Sequence, residues 1–312
     1  MAALFEKVVV VTRQTELDEL VRRFNTPAQA RFYLEQGGHS FDRIQNAHSK
    51  YKKVVKSVVR SLAADQKHQV IDRGIVPQFT FASDDLVITI GQDGLVSNTA
   101  KYLNGQPIFA INPDPELYDG VLLPFGAGEF RPFLNAALNG EVDSSTVTLA
   151  QASSSDGQQL LAFNDFFVGA RSHVSARYKI EIADQSEMHS SSGIIISTGA
   201  GSTGWLQSVY AGAAGVINAL GGEVTPPPND GRLPWDSEQL IYSVREPFPS
   251  QVTQCSMVHG HLSVEAPLRL TSHMPANGVI FSDGVEADFL EFNSGATLTI
   301  APAERKSVLL TK

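Results

Sequence analysis

The sequence predicts an α/β domain followed by a mostly β domain, a fold class of α/β plus β. Three observations carry this expectation. Helical and strand patterns alternate through the first third of the chain. A strand, a glycine loop, a short helix and a second strand follow one another between Leu86 and Asn112. From about Val121 onward helical periodicity becomes scarce and short strands dominate, which marks a change of architecture. The boundaries expected are a Rossmann-like N-terminal domain over residues 1–120 and a β-rich domain over 121–312, with the last segment packing back on the first.

Composition bounds the function. The chain has 312 residues, 42% of them apolar and 18% charged, with a net charge of −9. That balance reads as globular and argues against nucleic acid or anionic membrane as general partners. It leaves room for an anionic nucleotide in a locally positive pocket. The single cysteine, Cys255, permits no intrachain disulfide and fits a reducing, cytoplasmic setting. The N-terminus carries no targeting signal, and its apolar run is too short for a membrane span.

The elements follow in order. Val8-Val9-Val10-Val11-Thr12 is a continuous β-branched run, as buried parallel strands are. Thr15 is placed to N-cap a helix through Leu17, Leu20, Val21 and Phe24. Pro27 opens a second helical stretch that Gly37-Gly38 ends. Ser40 precedes a long amphipathic pattern in which Ile44, Tyr51, Val54, Val55, Val58, Val59 and Leu62 recur at three- and four-residue spacing. Lys50, Lys52, Lys53, Lys56 and Arg60 read as its solvated face. Leu86–Ile90 is a strand ending in Gly91-Gln92-Asp93-Gly94, and Pro107–Asn112 is the next. Later strands are expected at Thr146–Ala150, Phe166–Val168, Ala176–Ile182, Gly193–Ser197, Gln239–Val244, His261–Ala266, Gly278–Phe281 and Thr297–Ile300. One Ala/Gly-rich helix lies around Trp205–Leu220, and the run from Pro226 to Gly231 reads as a loop.

Four short motifs could carry chemistry. Gly91-Gln92-Asp93-Gly94 stands at a strand's carboxyl end, where glycines admit a phosphate and a carboxylate can orient a hydroxyl or accept its proton. A plain turn with Asp93 capping the next helix is the bland alternative. Thr198-Gly199-Ala200-Gly201-Ser202-Thr203-Gly204 is dense in backbone donors and hydroxyls. It matches G-x-G-x-x-G formally. The Pro-rich segment after its helix is no central strand, so a dinucleotide βαβ unit is rejected there, and no Lys makes it a P-loop. Asn164-Asp165 interrupts an apolar stretch. Ser282-Asp283-Gly284 reads as a tight turn or a site. His259-Gly260-His261 lacks a third metal ligand, so no metal site is expected.

Taken in order, these motifs resemble the NAD kinase family, with its Gly-Gly-Asp-Gly loop, Asn-Glu pair, Thr-Pro-Thr-Gly-Ser-Thr-Ala-Tyr-like stretch and Val-Asp-Gly turn. The resemblance spans nearly the whole chain. Val8–Arg13, Asn112–Glu116, Ser191-Ser192-Gly193 and Ser243–Pro247 look like the mitochondrial-type branch. The resemblance implies transfer of phosphate from ATP, with Mg²⁺, to the 2′-hydroxyl of the adenosine ribose of NAD. It implies that Asp93 handles the proton and that Gly91, Gln92 and Gly94 form the phosphate loop. Asn164 and Asp165 would hold a ribose, Thr198, Gly201, Ser202 and Thr203 would line the nucleoside pocket, and Asp283 would sit near the reacting end. A homodimer is also implied.

The chain departs from the family pattern at several positions. Gln92 stands where the family has its second glycine, Leu95 replaces Thr, and Gly204-Trp205 replaces Ala-Tyr. Ser192 stands where many bacterial members have Asp. A kinase with Gln92 needs ordinary negative φ there, with the side chain turned away from the phosphates or donating to one. Two other readings compete: a dinucleotide-binding sensor without kinase activity, and a kinase of the same superfamily acting on a lipid or sugar.

Overall fold

The computed structural model describes residues 4–62, 66–225 and 228–312. The fold is mixed α/β, and the chain divides into two compact units, Met1–Ser145 with Val308–Lys312, and Thr146–Ser307. Among the described residues no helix is long and apolar enough to cross a membrane.

The first unit begins with β1 (Lys7–Thr12), α1 (Glu16–Phe24), α2 (Pro27–Gln36) and α3 (Phe41–Ser61). Thr15 closes a capping box with Asp18 at the start of α1. Thr26 and Ser40 cap the next two helices, and Pro27 occupies the first position of α2. Then come β2 (Lys67–Asp72), β3 (Asp85–Ile90), α4 (Asp93–Ala100), β4 (Pro107–Asn112), β5 (Phe125–Gly126) and α5 (Phe130–Leu138). The strands run parallel in the order β2-β1-β3-β4, and Val308 and Leu309 pair beside β4. Every residue of β3 is buried, which explains its unbroken apolar reading. Tyr51, Val54 and Val58 of α3 pack on Val8, Val10, Leu86 and Ile88, the stripe that the helical spacing predicts. A separate small core joins Leu17, Ala30, Leu34, Phe41 and Ile44, so α1 and α2 are held to the first turn of α3.

The second unit is a two-sheet sandwich. Its strands are β6 (Ser144–Ser154), β7 (Gln159–Ala162), β8 (Asp165–Ala170), β9 (Ala176–Ile182), β10 (Gln185–Ser191) and β11 (Ile194–Ser197). After α6 (Trp205–Ala219) come β12 (Leu240–Val244), β13 (His259–Leu262), β14 (Leu268–Ser272), β15 (Gly278–Ser282), β16 (Val285–Glu291) and β17 (Thr297–Leu310). One sheet is antiparallel in the order β13-β12-β11-β8-β15-β16. The other joins β10-β9-β14-β17, with β6 and β7 alongside. Phe166, Val168, Ile194, Ile196 and Ile280 meet Tyr178, Ile180, Leu268, Leu270 and Ile300 in one core. Alternation along β8 therefore sends Phe166 and Val168 inward, and Asp165 and Phe167 to the opposite face.

Several elements differ from the sequence reading. The strand expected at His261–Ala266 lies at His259–Leu262, because Ser263 and Ala266 close a turn instead. β2 escapes notice because four of its six residues are exposed, so it has no apolar pattern. α5 lies in the stretch read as strand-rich, and the first unit continues through it to Ser145. Pro226 and Pro227 of the expected loop lie outside the described residues, and Pro228–Gly231 forms a turn with Asn229 and Asp230 at positive φ.

In the first unit, Phe109 stacks on Phe125 with ring centroids 4.0 Å apart, and both are fully buried. Phe109→Ala should cost about 3–5 kcal/mol by urea unfolding. A loss below about 1 kcal/mol would show that this stack is not part of the unit's core.

Candidate functional site

In the first unit, β3 delivers Gly91 into a turn at the start of α4. Gln92 is the N-cap, with φ −98° and ψ 169°, and its side chain makes no cap hydrogen bond. This is extended backbone that any residue adopts, so glycine is not required at position 92. A Cβ on Gly91 would lie 2.9 Å from Leu95 Cδ2, which explains glycine there. A Cβ on Gly94 would meet nothing within 4 Å, so the space beside it is open. The Asp93 carboxylate accepts the Leu122 N–H through Oδ1 at 2.7 Å. Among the described residues no hydrogen bond reaches its Oδ2, which leaves that oxygen available to a substrate.

A cavity of about 320 Å³ opens beside this loop, lined by Arg13, Lys50, Tyr51, Gln92, Asp114 and Tyr118 among others. Tyr51 fixes its wall. The phenol donates to Ile90 O at 3.0 Å and accepts the Arg13 N–H at 2.9 Å, and burial pushes its pKa up to about 12.

In the second unit, three of the motifs meet. Asp283 and Gly284 have φ of 53° and 68° and form the two-residue turn between β15 and β16. The Asp283 carboxylate accepts backbone N–H groups from Phe163 at 3.0 Å, Asn164 at 2.6 Å and Asp165 at 3.4 Å. Asp283 N in turn donates to Asp165 O at 3.0 Å. Asp283, which the resemblance places near the reacting end, also clamps the Asn164-Asp165 turn. Burial, and then the charge of Asp283, push the Asp165 carboxyl up to about 7.

The Thr198 stretch closes the other side of that turn. Thr198 N donates to Asn164 O, and its hydroxyl donates to Phe163 O at 2.6 Å. A Cβ on Gly201 would stand 2.0 Å from Asn164 O, and one on Gly199 would stand 1.9 Å from Pro234 O, so both glycines permit close backbone approach. Thr198 and Ser202 are fully buried, and the Ser202 hydroxyl donates to Gly199 O at 2.6 Å. Their hydroxyls are hydrogen-bonded within the loop. Thr203 is exposed. Among the described residues the side chains of Asn164 and Asp165, both half-buried, have no hydrogen-bond partner, which leaves their bonding capacity open to a ligand.

Sequence reasoning missed the aromatic cavity of about 340 Å³ on the same unit, lined by Phe167, Trp205, Phe281, Phe289, Arg171 and Arg245. Phe167 stacks near Trp205 with centroids 5.9 Å apart, and the Arg245 guanidinium lies 5.5 Å from the Trp205 ring. The signal was present: Phe167 follows Asp165 by two along a strand and shares its face. Arg13 was missed as well, though it directly follows β1, at the strand end where α/β ligands collect.

Solved structures resemble this architecture, among them two kinases. The NAD kinase from Archaeoglobus fulgidus, solved in complex with ATP, aligns at TM-score 0.56 and 17% identity, over 98% of this chain and 93% of that one. Yeast NADH kinase, complexed with NADH, aligns at TM-score 0.60 and 15% identity, over 98% of this chain and 83% of that one. No family model and no curated protein matches the sequence. The chain therefore has the fold of the NAD kinases.

The shift of Asp165 gives a pH dependence. Its carboxyl titrates near 7 when folded and near 3.8 otherwise. The folded state therefore holds a proton that the unfolded state releases, and this stabilisation is full below about pH 4 and lost as pH rises through about 7. Asp165→Asn should be insensitive to that interval. The difference between variant and wild type in urea midpoint should grow from pH 4 to pH 8. Parallel pH profiles would show that Asp165 titrates as an ordinary carboxylate.

Proposed function

We propose that this chain is an NAD kinase, transferring the γ-phosphate of ATP to the 2′-hydroxyl of the adenosine ribose of NAD. The observation that carries the reading is the clamped turn at Asn164-Asp165. It holds an amide and a carboxylate, both without internal partners, on the strand face that also bears Phe167 and the Trp205 cavity. A ribose diol bonded to the polar pair and a base against the aromatic wall match what a dinucleotide offers. The fold likeness to an NAD kinase and an NADH kinase supports the same reading.

Asp93 is the group assigned to the proton. In the transfer the 2′-oxygen forms a bond to the γ-phosphorus as the bond to the ADP leaving oxygen breaks, and the hydroxyl proton passes to the free Asp93 oxygen. Such chemistry depends on positioning and charge neutralisation. Mg²⁺ supplies the neutralisation when bound. The phosphates of ATP would carry the ion, with few protein ligands.

A coupled assay of NADP formation from NAD and ATP tests the reading. The wild type should turn over, and Asp93→Asn should lower turnover by roughly 10²–10⁴-fold while keeping nucleotide affinity. Turnover of the variant within a few-fold of wild type would remove Asp93 from the mechanism.

A further inference from the structure

Asp93 has one bonded oxygen and one free one, and the loop that bonds the first is held from inside. The Leu122 N–H that donates to Asp93 Oδ1 at 2.7 Å belongs to residues 113–124, which leave β4 and return at β5. Both ends of this loop meet at Asn112, the last residue of β4. The Asn112 carbonyl accepts the Ala127 N–H at 3.0 Å, just beyond β5. Its side chain is buried and bonds into the loop. Oδ1 accepts the Asp114 N–H at 3.0 Å, and Nδ2 donates to Tyr118 O at 3.0 Å. One amide therefore ties the start of the loop to its middle, where an unpaired buried amide would be costly.

Two contacts hold the same loop from outside. Lys50 pairs with Asp114 at 2.5 Å, and Arg13 Nη2 donates to the Tyr118 hydroxyl at 2.8 Å. Within it, the Leu117 and Tyr118 N–H groups both donate to Asp114 O at 3.0 Å. Gly120 then begins a four-residue turn, closed by the Leu123 N–H on Gly120 O at 3.0 Å. Gly120 has φ 68°, and a Cβ there would stand 2.6 Å from Asn112 Nδ2. Glycine is thus required twice, for its backbone and for the close approach to that amide. The Leu122 and Leu123 side chains are buried, which anchors the turn. The Leu122 N–H lies inside the turn but outside its closing bond, so it is left for Asp93.

We propose that Asn112 and Gly120 are positioning residues for the Asp93 carboxylate. They hold the turn so that the Leu122 N–H takes Oδ1 and fixes the carboxylate plane, with Oδ2 left to the acceptor hydroxyl. An unheld carboxylate rotates over a broad range about its last bond. A hydrogen bond to the charged form is strong enough to fix it. Proton acceptance depends on that alignment, and a displacement of about 1 Å can cost on the order of 10²-fold in rate. The proposal rests on the phosphotransfer reading above and names the residues that align its proton acceptor. Both act through the Leu122 N–H.

Steady-state kinetics of NADP formation would be run on wild type, Asn112→Ala and Gly120→Ala, and on each variant combined with Asp93→Asn. Amide hydrogen exchange at Leu122 would be followed by NMR on the same proteins. Each single variant should lower kcat about tenfold or more and leave KM for NAD and for ATP within about twofold. Exchange at Leu122 should quicken in both. In the Asp93→Asn background the same changes should lower the residual kcat by less than about twofold, because the group they align is already gone. An equal drop in that background would show general damage to the fold and overturn the proposal. A raised KM with kcat unchanged would make the loop a substrate contact and overturn it too, as would an unchanged kcat. If wild type makes no NADP, the phosphotransfer reading fails. The exchange data then decide the loop alone: protection lost at Leu122 in both variants retains the alignment of Asp93, and unchanged protection overturns it. Should Asn112→Ala fail to fold, Gly120→Ala decides the point, because it alters a half-buried loop position and no core side chain.

Discussion

Three backbone N–H groups, from Phe163, Asn164 and Asp165, converge on one carboxylate, that of Asp283. Hydrogen bonds to a charged acceptor are among the stronger ones in proteins. Here they tie the entry of β8 to the turn between β15 and β16, about 120 residues away in sequence. The arrangement depends on left-handed backbone at Asp283 and Gly284, which aims the carboxylate back at the strand. The Thr198 loop then closes against the same turn, and only glycine at 199 and 201 lets it approach. Remove the carboxylate, and the turn that offers Asn164 and Asp165 loses both its donors' partner and the charge that raises Asp165.

The first unit obeys a different constraint. A fully buried parallel strand, β3, ends at Gly91 and leaves a helix start, a half-free carboxylate and an exposed amide in succession. Gln92 fits because its backbone is extended, so the departure from a glycine-rich loop changes what reaches into the cavity and not how the chain turns.

Much of the fold was legible because burial was periodic. α3 announced its stripe at Ile44, Tyr51, Val54 and Val58, and Thr15, Pro27 and Ser40 marked helix starts through local chemistry. β2 was illegible because an exposed edge strand has no face to alternate. Of the site, the motifs were legible but not the direction of their side chains. Thr198 and Ser202 look like ligand hydroxyls in sequence and are spent on backbone carbonyls in three dimensions. Asp283 reads as a site residue, and its carboxylate also clamps a turn far away in sequence. Partners distant in sequence decide such roles, and no local pattern encodes them.

The central claim is that the Asp283 clamp presents Asn164 and Asp165 to a dinucleotide. Calorimetric titration of NAD into wild type and into Asp283→Ala tests it most directly, provided that circular dichroism shows the variant still folded. Loss of the clamp should weaken NAD binding by about tenfold or more. Equal affinity in the two proteins would show that the dinucleotide does not depend on this turn, and would contradict the account.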